Sequence, residues 1–252
     1  FEVVRSICAS SDEFYYSSCK TICCTLNSSA SPWIRSNGGE RSILFLDEAG
    51  QCNEAEFYIA TAFPNIEKVV LVGDPKQLPP TTLDLRCMKA GLGKSWLERI
   101  YDLSPKSIHL LDTQYRMDPP ILEFPNQHFY NNRIKSDVSV RSRSPAISNP
   151  IGFIDTSGRT LEEKDGFSTM NVEEAYLIRA LFRQDNDIKS LLGIEHTTVV
   201  VITPYSAQQN LLQNELKKVI FLKNYSVATV DSYKGQEADI VVISTVRTNK
   251  IG

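Results

Sequence analysis

Short apolar runs separated by polar stretches containing Gly or Pro recur along this chain, and their lengths suit strands better than helices. Thr21 to Cys24, Ile43 to Leu46, Lys68 to Val72, Ser107 to Leu111, Ile151 to Ile154, Thr197 to Thr203, Val227 to Val230 and Asp239 to Val246 are the predicted strands. Ile43-Leu44-Phe45-Leu46 has no polar interruption, the pattern of a central strand buried on both faces. Helices are predicted between these runs. Asn53-Glu54-Ala55-Glu56 has the spacing of a capping box and starts a helix from Glu54 to Ala62, stopped before Pro64. Trp96 to Tyr101 has amphipathic spacing, and Pro119 and Pro120 open a helix reaching Tyr130. Asn171-Val172-Glu173-Glu174 caps a helix to Gln184, and Tyr205 to Val219 forms another. Thr25 to Gly39 reads as a loop. Asn131 to Pro150 reads as a polar connection whose Arg133, Lys135, Arg141 and Arg143 are solvated, with phosphate contact as the second reading. Residues 1–19 are too mixed to assign.

Strands alternating with helices twice over predict an α/β chain of two parallel-sheet domains. The expected boundary lies near Asp118, giving domains 1–118 and 119–252.

The polar residues at the strand ends give this scaffold its chemistry. Ile43 to Leu46 stops abruptly at Asp47-Glu48, at the carboxyl edge where α/β sheets bind ligands. Successive residues point in different directions, so one carboxylate can hold Mg²⁺ while the other faces an attacking water. An acidic helix cap is the other reading of the pair. The run from Lys68 ends in Gly73-Asp74-Pro75-Lys76-Gln77-Leu78-Pro79-Pro80, a rigid loop in which the Gln77 amide can both donate to phosphate and accept from water. A plain Pro-braced turn is its structural alternative. Tyr115-Arg116 pairs a ring able to stack on a base with a guanidinium able to neutralise phosphate, unless it is simply a surface cation–π pair. Asp231 to Glu237 is a polar sheet-edge loop in which Gly235 permits close backbone approach to a ligand. Gly91-Leu92-Gly93-Lys94-Ser95 looks like the end of a phosphate-binding loop, but Met88 stands where that motif needs its first glycine, and no buried strand precedes it.

Composition narrows the class. The 252 residues are 42% hydrophobic and 23% charged, with formal charge −3 and pI near 5.7. That argues against nucleic-acid binding by bulk charge and leaves local contacts. No apolar run has the length of a membrane span, and no secretory signal pattern opens the chain, so an intracellular protein is expected. The six cysteines are expected to be buried thiols rather than zinc ligands or disulfides.

Asp47-Glu48-Ala49-Gly50-Gln51, Gly73 to Pro80, Gln114-Tyr115-Arg116-Met117, Ile202-Thr203-Pro204-Tyr205 and Val230 to Glu237, in this order, resemble the motifs of superfamily 1 RNA/DNA helicases. The senataxin and nonsense-mediated-decay group is the nearest likeness. The resemblance implies two RecA-like domains, the first incomplete, with ATP between them and single-stranded RNA or DNA across the top. It makes Asp47 the Mg²⁺ partner, Glu48 the group that activates water and Gln77 the γ-phosphate sensor. Tyr115 would lie on adenine and Arg116 would reach the γ-phosphate, while Gly235 and Glu237 contact the phosphate and ribose region. Thr25, Thr203, Tyr205 and Ser232 match positions beside the nucleic-acid backbone. The group suggests 5′ to 3′ movement, protein partners in RNA processing or decay, and a nuclear or cytoplasmic location. The family's Walker A loop and its last arginine motif do not occur in these residues, so the chain by itself is expected not to hydrolyse ATP although its parent should. A catalytically inactive nucleic-acid clamp or scaffold, or another nucleotide hydrolase or kinase on the same sheet, are the competing readings.

Overall fold

A computed structural model describes residues 14, 18–37, 41–63, 65–141, 150–156, 162–183, 198–219 and 224–248. The chain divides into two compact units, Phe1–Leu111 and Asp112–Gly252.

In the first unit, β1 (Ile43–Leu46) and β2 (Lys68–Leu71) pair in parallel, with Phe45 opposite Val70 and Leu46 opposite Leu71. The crossover runs through the helix Glu54–Thr61, whose capping box closes as the spacing requires. The Asn53 side chain accepts from the Glu56 N–H at 3.0 Å, and the Glu56 carboxylate accepts from the Asn53 N–H at 3.1 Å. Leu46, Ala49, Cys52, Phe57 and Leu97 form the core, with Leu26, Leu71 and Trp96 packed against it. β1 is not the strand buried on both faces that its apolar run predicts. Phe45 is 69% exposed and Ile43 47%. Among the described residues β1 has one strand neighbour, and only the Leu46/Leu71 face is packed.

Thr21 to Cys24 also departs from expectation. Among the described residues it pairs with no strand, and Cys19, Cys23, Cys24 and Cys87 are exposed while Cys52 is buried; Cys8 lies outside the described residues. Burial pushes the Cys52 thiol up to about 11, with the Glu56 carboxylate adding to the shift. The predicted loop after Thr25 instead holds two short helices, Leu26–Ser29 and Pro32–Asn37. Thr25 caps the first by accepting from the Ser28 N–H, and proline, preset for a helix start, opens the second. The glycine-rich Gly91-to-Ser95 stretch leads into the helix Trp96–Leu103: Ser95 accepts from the Glu98 N–H at 3.0 Å, and Lys94 pairs with Asp102 at 2.5 Å.

The second unit is built on the parallel sheet β8-β7-β9, with β7 (Val199–Thr203) between β8 (Tyr225–Thr229) and β9 (Ile240–Ile243). Here a β-branched run does become a central strand, since Val199, Val200 and Val201 are all buried. The helices Val172–Arg183 and Ser206–Leu216 pack on it through Ile178, Phe182, Leu212 and Leu216. Before them, β3 (Thr113–Gln114) pairs in parallel with β4 (Lys135–Ser136) across the helix Pro119–Tyr130. The predicted strand Ser107 to Leu111 does not form, because Pro105 starts a 3₁₀ turn through Ser107 and pairing begins only at Thr113. Ile151 to Ile154 is likewise not a strand, and its side chains are exposed, Phe153 most of all. A hairpin that the sequence pattern does not announce, β5 (Glu163–Asp165) with β6 (Ser168–Met170), precedes the helix Val172–Arg183. Within the polar connection, residues 142–149, including Arg143, lie outside the described residues, as does Gln184 at the predicted helix end.

Candidate active site

The carboxyl edge of β1 and β2 carries the first group of candidate residues. Asp47 and Glu48 leave β1 exposed, and the chain turns at once: Glu48 has φ +52, a left-handed conformation uncommon for a residue with a side chain, and starts a 3₁₀ turn over Ala49–Gln51. The Glu48 N–H donates to Asp47 Oδ1 at 3.0 Å, and Gln51 Nε2 donates to Glu48 Oε2 at 3.1 Å. Gln51 therefore orients the carboxylate expected to act on water, a role its place three residues on could have suggested.

This turn is docked backbone to backbone on the loop after β2. The Ala49 N–H donates to the Val72 carbonyl at 2.8 Å. A Cβ on Gly50 would meet the Asp74 carbonyl oxygen at 2.6 Å, and one on Gly73 would meet the backbone nitrogens of Ala49 and Gly50 at 2.8 and 2.9 Å. Two glycines thus let the acidic turn and the Gln77 loop touch where no side chain fits. Within the loop, Asp74 accepts from the Lys76 N–H at 2.9 Å and from Gln77 Nε2 at 3.0 Å. Asp74, which sequence reasoning passed over, holds the Gln77 amide; an Asp two residues before a polar N–H in a Pro-containing turn was the available signal.

The second group lies in the second unit. Tyr115 and Arg116 sit in a turn after β3 that Gln114 ties together. Its Oε1 accepts from the N–H groups of Arg116 and Met117 at 2.8 and 2.7 Å, and its Nε2 donates to the Met117 carbonyl and to Ser136 Oγ, both at 2.7 Å. Gln114 was not singled out from sequence. Tyr115 is largely exposed, and Arg116 Nε reaches Glu237 Oε2 at 2.7 Å across 121 residues of sequence. That brings together two candidate residues from distant motifs. Both partners are exposed, so the pair holds by about 0–1 kcal/mol and is readily exchanged for another anion. Gly235, at φ +71, turns the loop carrying Glu237, and Tyr233 Oη donates to the Glu237 carbonyl at 2.8 Å.

The four expected nucleic-acid residues are placed differently from one another. Ser232 is exposed and ties its loop down, accepting from the Thr229 N–H at 2.9 Å and donating to the Thr229 carbonyl at 3.1 Å. Tyr205 is half-buried at the start of the helix Ser206–Leu216, and Thr25 is an exposed helix cap. Thr203 is wholly buried at the end of the central strand, and its Oγ1 accepts from the Tyr205 N–H at 3.5 Å.

The donor chemistry fits a nucleotide-bound Mg²⁺. Among the described residues no three His, Cys, Asp or Glu side chains cluster as a complete metal site. Mg²⁺ characteristically takes one or two carboxylates and completes its shell with substrate phosphates and water. The exposed Asp47 carboxylate at the end of β1 is a donor of that kind, with Glu48 beside it as the carboxylate expected to face water.

A parallel sheet whose carboxyl edge carries adjacent acids and a tethered glutamine is the layout of the P-loop NTPase class. Two family models described as AAA domain match the chain, over residues 3–84 and 92–252. It is 31% identical over 249 residues to the probable helicase senataxin of Homo sapiens, covering 91% of this chain and 9% of that protein. It is 33% identical over 247 residues to the regulator of nonsense transcripts 1 homolog of Arabidopsis thaliana, covering 92% and 19%. With an uncharacterized ATP-dependent helicase of Methanocaldococcus jannaschii the identity is 32% over 231 residues, covering 85% and 33%. The chain belongs to the superfamily 1 helicases, in the senataxin and nonsense-mediated-decay group. It spans between 9% and 33% of the length of these relatives. Among the described residues no helix is long and apolar enough to cross a membrane.

Proposed function

We propose that this chain is part of the two-domain RecA-like core, residues 1–118 and 119–252, of an ATP-driven helicase that moves along single-stranded RNA or DNA in the nucleus or cytoplasm. The observation that carries the reading is the glycine-mediated docking of the Asp47-Glu48 turn on the Gln77 loop at one sheet edge. Relatives named as helicases support it, and a regulator of nonsense transcripts among them favours protein partners in RNA processing or decay.

In this reading Asp47 holds Mg²⁺, which on binding would neutralise charge on the terminal phosphates. Glu48, oriented by Gln51, accepts a proton from the attacking water. Gln77, positioned by Asp74, registers the terminal phosphate through its amide. Arg116 leaves Glu237 to neutralise phosphate charge, and Tyr115 stacks on the adenine. Freed of Arg116, Glu237 accepts from a ribose hydroxyl, while Gly235 lets the backbone approach the nucleotide. Tyr205, Ser232 and Thr25 lie along the phosphate backbone of the strand, with Thr203 holding Tyr205 in place.

Phosphate release by the full-length protein, measured with matched single-stranded RNA and DNA, tests the reading. Turnover that rises on adding either strand is the expected result. Absence of turnover with both would favour a non-hydrolysing clamp.

A further inference from the structure

A cleft of about 420 Å³ opens in the second unit where β7 and β8 end, and the tip of the β5–β6 hairpin stands beside it. Its lining is aromatic, hydroxylic and acidic: Phe167, Tyr205, Ser168, Thr229, Asp165 and Asp231, with no lysine or arginine among the described lining residues. Asp231 already has a cation, Lys234 Nζ at 3.2 Å.

Phe167 is the anomaly. It is fully exposed at the hairpin tip, a place where a large apolar ring is not needed to close the turn. Gly166, at φ +59, takes the positive-φ position of the two-residue connection, so the following residue has no conformational demand that phenylalanine would meet. The hairpin is fixed rather than dangling. Ser168 Oγ accepts from the Ala207 N–H at 3.1 Å and from Ser206 Oγ at 3.3 Å, which ties the pedestal of the ring to the start of the helix Ser206–Leu216.

The lining decides which part of a nucleotide fits. A phosphate placed between Asp165 and Asp231 would meet two carboxylates with no lysine or arginine among the described lining residues, so repulsion disfavours it at that point of the cleft. A nucleobase meets none of that penalty: it is uncharged, its face stacks on a phenyl ring, and its amino and ring N–H groups, like ribose hydroxyls, donate to carboxylates and hydroxyls. The geometry points to this cleft as a base-accepting subsite for an unpaired nucleotide of the bound strand, with Phe167 as the stacking platform and Asp165 as an acceptor. The inference rests on the proposed nucleic-acid function and adds to it a contact to bases where the hydroxyl residues contact phosphates.

The test compares wild-type full-length protein with Phe167→Ala and Phe167→Tyr, using single-stranded oligonucleotides with bases and abasic strands of the same length. Phe167→Ala is expected to weaken binding of the based strand by about tenfold, within the range of one lost base–aromatic stack, and to leave the abasic strand and the melting temperature unchanged. Phe167→Tyr should restore binding. Equal affinity of Phe167→Ala and wild type for the based strand would overturn the subsite, as would equal losses on based and abasic strands, which would mean the ring acts through the fold. Failure of the wild type itself to bind either strand would instead remove the function on which the inference stands.

Discussion

The two sheet edges that carry candidate chemistry are held in opposite ways. In the first unit, the acidic turn and the Gln77 loop are fixed by backbone against backbone, at two glycines where a Cβ would approach within 3 Å of main-chain atoms. In the second, the end of β9 is held by buried side chains. Asn171 Oδ1 accepts from the Glu174 N–H at 3.0 Å, as a helix cap should, but the Glu174 carboxylate does not close the box as Glu56 does. It accepts instead from Ser244 Oγ at 2.5 Å and from the Val246 N–H at 3.0 Å. Gln208 bridges the same set, donating to the Asn171 carbonyl at 3.2 Å and to Ser244 Oγ at 3.0 Å and accepting from the Asn171 N–H at 2.8 Å. This network surrounds Val246, a β-branched residue at φ +69 with an Arg247 N–H to Thr245 carbonyl bond of 2.7 Å across it, the signature of a strained γ-turn. Backbone docking costs no side-chain entropy but tolerates no added atom. Polar clamping tolerates shape changes but fails when one partner is lost.

That contrast predicts different failures. Gly50→Ala in the full-length protein forces the Asp74 backbone to move and displaces the acids relative to Gln77. ATP turnover should fall about 100-fold, as an ångström-scale misplacement of catalytic groups does, with a smaller effect on melting. Turnover within threefold of wild type would mean that the docking does not position the chemistry. Glu174→Ala removes no candidate ligand contact but takes away the acceptor of the Ser244 O–H and of the Val246 N–H, leaving Ser244 only the bond it accepts from Gln208. It should destabilise by about 3 kcal/mol, read from denaturant unfolding. A loss under about 0.5 kcal/mol would show that the strained turn holds without its clamp.

How much of this was legible from sequence follows the same division. Elements with a local cause were readable: the Asn53–Glu56 capping box, the Pro119–Tyr130 helix, and the β-branched run that became β7. Runs whose state depends on a neighbour were not. Ile43 to Leu46 and Val199 to Val201 are equally apolar, yet among the described residues only the second has a strand on each side, and nothing within four residues encodes that. Thr21 to Cys24 and Ile151 to Ile154 are as apolar as true strands, yet among the described residues neither joins a sheet. At the candidate site the motif letters located the residues expected to meet the ligand, but not those that hold them. Asp74, Gln114 and Gly50 act through three-dimensional contact, and Glu174 sits in a capping-box spacing while serving a strand end 72 residues away.

The most direct trial of the account is ATP turnover by full-length Glu48→Gln, measured alongside ATP binding. The substitution keeps the shape of the side chain and removes its basicity. The account requires near-normal binding with turnover reduced by about 10²–10⁴-fold, the contribution of a positioned base. Turnover close to wild type would place the proton acceptor elsewhere and separate the acidic turn from the chemistry.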